Sequence, residues 1–114
     1  MCNGNLTITG TGQGNDSPKI TTNTNDVVNK YSAGIYASTY TQTAGEIYAK
    51  GSNAYYESCG LVADAKLDVS GGYLEADGGD IEYYSSYSSN SYKYSSGILA
   101  FCDVTISSSA HVYA

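Results

Sequence analysis

The chain has 114 residues, enough for one domain (1–114) with a small core. It carries 5 Lys, no Arg and 11 Asp plus Glu, for a net charge of −6, which excludes a phosphate-binding nucleic-acid surface. No apolar stretch is long enough to span a bilayer. Thirteen Tyr and 13 Gly stand against one Phe, one Pro and no Trp, a balance that favours strands and turns over helices.

Met1-Cys2-Asn3 opens without a basic or apolar leader, so no signal peptide is expected there. The first strand signal follows at once, in Leu6-Thr7-Ile8-Thr9-Gly10. This is a partial copy of a phrase that recurs over residues 34–49, 60–76 and 97–114. Each full copy reads as three short strands with period-2 alternation. Ile35/Ala37 aligns with Leu61/Ala63 and Ile98/Ala100. Tyr40/Gln42 aligns with Leu6/Ile8, Leu67/Val69 and Val104/Ile106. Ile47/Ala49 aligns with Leu74/Ala76 and Val112/Ala114. Alternation sends these columns to one face and their neighbours to the other. Small-residue turns at Ala44-Gly45, Gly71-Gly72 and Ser108-Ser109 separate the last two strands. Gln42 stands in an apolar column and is expected to bond to backbone at a corner.

Three bent strands per repeat make one coil, and stacking coils about 4.8 Å apart pairs each strand with its equivalents. The predicted fold is therefore all-β: a right-handed parallel β-helix, or β-solenoid, of about four coils. Irregular loops are expected at 50–59 and 77–96. The second holds the Tyr/Ser-rich run 83–96, which reads either as a low-complexity loop or, with Tyr55 and Tyr56, as a binding patch.

Asn5-Leu-Thr-Ile-Thr-Gly10, and Leu67-Asp-Val-Ser-Gly-Gly-Tyr-Leu-Glu-Ala76 before an acidic Gly-rich loop, resemble a known family. They are similar to bacterial carbohydrate-binding-domain-containing parallel β-helix proteins of a clostridial type. The resemblance covers 6–10 and 34–114. It implies an extracellular or cell-surface module that binds acidic polysaccharide with calcium.

The residues themselves offer candidates for that chemistry. Outward positions of the third strand carry Glu46/Tyr48, Tyr73/Glu75 and His111/Tyr113. Stacked, they form an aromatic and acidic stripe that either stacks on sugar rings or shields the sheet. Tyr55, Tyr56, Tyr83 and Tyr84 extend the candidate glycan surface. Asp77, Asp80 and Glu82 supply three carboxylates on one turn, a candidate calcium site or a solvated acidic turn. No catalysis is expected. His111 is alone, no zinc spacing exists, and Asn23-Thr24-Asn25-Asp26 only superficially matches a catalytic run.

Cys2, Cys59 and Cys102 are odd in number, so at least one is unpaired in a monomer. Buried free thiols are expected, with a Cys59–Cys102 disulfide as the alternative. Two sequons, at Asn5 and Asn15, decide nothing. The leading expectation is a non-catalytic carbohydrate-binding or adhesion module. The rival is a structural subunit that stacks head to tail into a filament, because coil edges without caps template further pairing.

Overall fold

The structure is a computed structural model that describes residues 4–9, 18–22, 29–82 and 93–114. Among these residues there is no helix. The strands are β1 (Asn5–Ile8), β2 (Lys19–Thr21), β3 (Asn29–Gln42), β4 (Glu46–Lys50), β5 (Ala54–Val69), β6 (Gly72–Asp77), β7 (Tyr94–Ala100), β8 (Asp103–Ile106) and β9 (Ala110–Tyr113). All their pairings are parallel. Parallel neighbours cannot be joined by a tight hairpin and need a crossover. Here the crossover from one strand to its neighbour runs through the other sheet.

The first sheet has the order β1-β3-β5-β7, with β8 also on β5, and the second has β2-β4-β6-β9. Register follows the columns in the sequence. Leu6 pairs with Tyr40, Tyr40 with Leu67, and Leu67 with Val104. Ile35 pairs with Leu61 and Leu61 with Ile98. Ile47 pairs with Leu74 and Leu74 with Val112. Between the sheets, Ile47, Leu61, Leu67 and Leu74 are buried to about the last atom, each stabilising the fold by roughly 1.5–3 kcal/mol. In the outermost pair of that stack the same columns open: Val104 and Ile106 are each 49 % exposed.

Two differences from the sequence reading have physical causes. First, two strands rather than three make most repeats. The first two run together in β3 and β5, with a register shift between Ala37 and Thr39 that bends the sheet without breaking it. Only the last repeat separates them, at Phe101 and Cys102 between β7 and β8. Second, 50–59 is mostly not a loop. β4 runs through Lys50 and β5 begins at Ala54, so Tyr55 and Tyr56 are strand residues. The loop expected over 77–96 is likewise trimmed: β6 reaches Asp77, Ile81 bridges to Ala54, and β7 starts at Tyr94.

Three glycines mark where two stretches of backbone approach closely. Gly34, Gly60 and Gly97 share one column position of the repeat. A Cβ built on them would lie 2.5 Å from Lys50 N, 2.5 Å from Asp77 N and 2.6 Å from Ala114 Cα. The chain thus leaves each glycine, traverses both sheets, and returns to touch it about one repeat later. No side chain fits in that contact. Beyond the contact the chain extends into a side arm made from β3, β5 and β7 upstream of the glycines.

The arm is held by polar rungs. Ser32, Ser58 and Ser95 align, and Ser58, fully buried, donates to Ser52 O at 2.6 Å and accepts from Gly79 N at 2.7 Å. Ser32 and Ser52 hydroxyls meet at 2.9 Å. Buried hydroxyls of this kind are tolerated because each is bonded.

Candidate functional site

The outer face of the second sheet is set by alternation. Ile47 and Leu74 point inward, so Glu46, Tyr48, Tyr73 and Glu75 point out. Parallel register then makes two rungs, Glu46–Tyr73–His111 and Tyr48–Glu75–Tyr113. Tyrosines of the two rungs meet one another diagonally. Ring centroids are 5.5 Å apart for Tyr48–Tyr73 and 5.5 Å for Tyr73–Tyr113, tilted by 42° and 36°. This spacing is within the range of favourable aromatic pairs.

The carboxylates hold the phenols in place. Tyr73 Oη donates to Glu75 Oε2 at 2.6 Å, and Tyr48 Oη donates to Glu46 Oε2 at 3.4 Å. The Glu75 carboxylate, first through that hydrogen bond, pushes the Tyr73 phenol up to about 12. Lys19 Nζ lies 5.0 Å from the Tyr48 ring centroid and 3.7 Å from Glu46 Oε2. A cleft of about 300 Å³ runs along this face, lined by Thr21, Thr22, Tyr48, Lys50, Glu75 and Asp77 among others. It offers an aromatic wall with hydroxyl, ammonium and carboxylate groups around it.

Gln42 is buried, and Nε2 donates to Gly45 O at 3.2 Å and to Tyr73 O at 3.0 Å. It ties the corner before β4, where Gly45 and its counterpart Gly72 adopt φ of 86° and 85°.

Among the described residues no three of His, Cys, Asp and Glu gather to hold a metal ion. Glu82 Oε1 accepts from Asn53 Nδ2 at 3.0 Å, and Asn53 Oδ1 accepts from Asp80 N at 3.0 Å. Asn53 thus braces the turn that carries Asp80 and Glu82. Cys59 is buried and Cys102 half-buried, and both are free thiols. Burial pushes the Cys59 thiol up.

Of the other candidates, Tyr56 lies on the arm with its ring 5.9 Å from that of Tyr31, and Tyr55 precedes it on β5. Tyr83, Tyr84, Cys2, Asn15 and the run 23–26 lie outside the described residues.

One group escapes the sequence reading. Tyr31 pairs with Glu57, and Glu57 with Tyr94. The Tyr94 phenol is pushed up to about 12, by burial first and then by its hydrogen bond to Glu57. The signal was present: each of the three residues stands three positions before the column glycine, Gly34, Gly60 or Gly97. Tyr36 Oη also donates to Asp64 across neighbouring strands.

No family model, no curated protein and no solved structure matches the chain.

Proposed function

We propose that the chain is a run of stacked right-handed parallel β-helix coils whose second sheet displays a non-catalytic carbohydrate-binding face outside the cell. The coil reading is supported by the shared register of the two sheets and by the backbone contacts at Gly34, Gly60 and Gly97. Right-handedness follows from the strong bias of parallel crossover connections.

The observation that carries the binding reading is the Tyr48–Tyr73–Tyr113 ladder with its bonded carboxylates. The rings are fixed before any ligand arrives, which lowers the ordering cost of stacking on a sugar. Glu46 and Glu75 keep lone pairs free to accept from sugar hydroxyls. A uronate chain brings further negative charge to Glu46, Glu75 and Asp77, and repulsion opposes it. The favoured ligand is a neutral polysaccharide.

Retention on insoluble cellulose, xylan, mannan and pectate, with and without calcium, tests the reading. We expect retention on at least one neutral polymer, and weaker retention on pectate that falls further at low salt. No retention on any of them removes the reading.

A second reading, joining end to end with another copy, rests on the edge made by β7, β8 and β9. Val104 and Ile106 are half-exposed there, in columns where Leu67 and Val69 are buried. Exposed strand edges of this kind accept further strands. Light scattering over a concentration series tests it: growth of the particle supports joining, and a constant monomer mass removes it.

A further inference from the structure

We propose that the side arm carries a second sugar-stacking surface, formed by Tyr31, Tyr56 and Tyr94 around Glu57, for the same neutral class of glycan. The proposal rests on the carbohydrate reading of the second sheet and adds a site that this reading does not include.

The rung chemistry is the same in both places and in the same order. On the second sheet, successive strands place Tyr48, Glu75 and Tyr113 side by side. On the arm, successive strands place Tyr31, Glu57 and Tyr94 side by side. Both rungs put a carboxylate between two phenols. In both, a further tyrosine packs against the rung: Tyr73 diagonally on the ladder, and Tyr56, at the register shift just before Glu57, against Tyr31 at 5.9 Å and 30° on the arm. Tyr73 donates to Glu75 on the ladder, and Tyr94 stands directly across from Glu57 on the arm.

Shielding is one role of the arm group, since Cys59 in the adjacent column is fully buried, but it leaves ring surface open. Ser58 faces the arm interior, so its chain neighbour Glu57 faces the opposite side. On that side the adjacent column is Ala33, Cys59 and Ser96. Tyr31 leaves 65 % of its surface open, and Tyr94 leaves 37 %. Exposed rings over a polar, hydrogen-bonded scaffold are placed to meet a ligand with both C–H faces and hydroxyls. The serine hydrogen bonds and the contact at Gly60 tie the arm to the main stack.

Isothermal titration with cellohexaose, xylohexaose and mannohexaose tests the proposal. The accepted hexasaccharide is expected to bind at two sites per chain. Tyr31→Ala/Tyr94→Ala is expected to leave one site, and Tyr73→Ala to leave the other. Glu57→Gln, nearly isosteric, weakens the arm site about tenfold or less while the ladder site is unchanged. Urea midpoints of the variants check that each is folded. One site in the wild type, lost in Tyr73→Ala and unaffected in the arm variants, overturns the arm site and leaves the ladder reading standing. No heat with any of the three, together with no retention on any polymer, overturns both.

Discussion

Tyr40 and Gln42 meet inside the stack, where the Tyr40 phenol donates to Gln42 Oε1 at 2.8 Å and both side chains are fully buried. They are neighbours on one face of β3, two residues apart, in columns otherwise filled by Leu and Val or Ile. The pair is self-satisfying: Gln42 Nε2 bonds to the carbonyls of Gly45 and Tyr73, and burial pushes the Tyr40 phenol far up so that it stays a donor. Removing one partner strands the other, which costs more than the bond itself contributes. Gln42→Leu is expected to lower stability by about 1–3 kcal/mol, and Tyr40→Phe by about 1 kcal/mol. Urea unfolding of both, and of the double variant, measures their coupling. Additive losses would contradict a shared network.

The closing glycines make a sharper structural prediction. A Cβ at Gly60 would sit 2.5 Å from Asp77 N, which is backbone and cannot swing aside. Gly60→Ala is expected to lower stability by about 1–3 kcal/mol or more through this overpacking. Gly4→Ala is the control, because nothing among the described residues lies within 4 Å of its Cβ position. Equal urea midpoints for the two variants would show that the backbone does not close there.

Alkaline titration reads the phenol–carboxylate pairs. Tyr73 and Tyr94 are each raised from 10.0 to about 12. A raised folded pKa means that the fold prefers the neutral phenol. That contribution is complete below pH 10.0, the ordinary value, and is lost as pH climbs through about 12. Stability should therefore hold up to the ordinary phenol range and fall beyond it. In Glu75→Gln the carboxylate that raises Tyr73 most is gone, and its titration moves back toward the ordinary value. Tyrosine ring-carbon NMR follows each phenol, and an unmoved Tyr73 titration in Glu75→Gln would contradict the pairing.

The thiols should differ in reactivity. Cys59 is fully buried, its pKa is raised by burial, and its Sγ lies 3.3 Å from Ser96 Oγ. Cys102 is half-buried and near Ala63 O. The thiolate is the reactive form, so Cys102 should be alkylated well before Cys59 in the native protein. Peptide mass mapping after a short iodoacetamide pulse distinguishes them, and faster labelling of Cys59 would contradict its placement.

The columns were legible because the repeated phrases keep period-2 alternation with apolar residues at Ile35, Leu61 and Ile98, and at Leu67 and Val104. Positions 46, 48, 73 and 75 were legible for the same reason. The diagonal meeting of their rings was not, since it depends on the register between strands. The arm was hidden because its aligned column is Ser32, Ser58 and Ser95, of which Ser58 is buried, and hydroxyls carry no hydrophobic period. Tyr55-Tyr56-Glu57-Ser58 therefore read as loop, although it lies within β5, where Glu57 and Ser58 pair on both sides. The bracing of the acidic turn by Asn53, a residue on the neighbouring turn, was likewise not legible, because it joins segments distant in sequence.

The parallel, in-register stacking of the two sheets underlies both proposed sugar surfaces. Interstrand NOEs in a uniformly labelled sample test it most directly. The account predicts backbone contacts joining Leu67 to Tyr40 and Val104, and joining Leu74 to Ile47 and Val112, all with parallel-strand patterns. Antiparallel patterns at these residues, or contacts displaced by one residue so that Tyr73 rather than Leu74 faces the core, would contradict it.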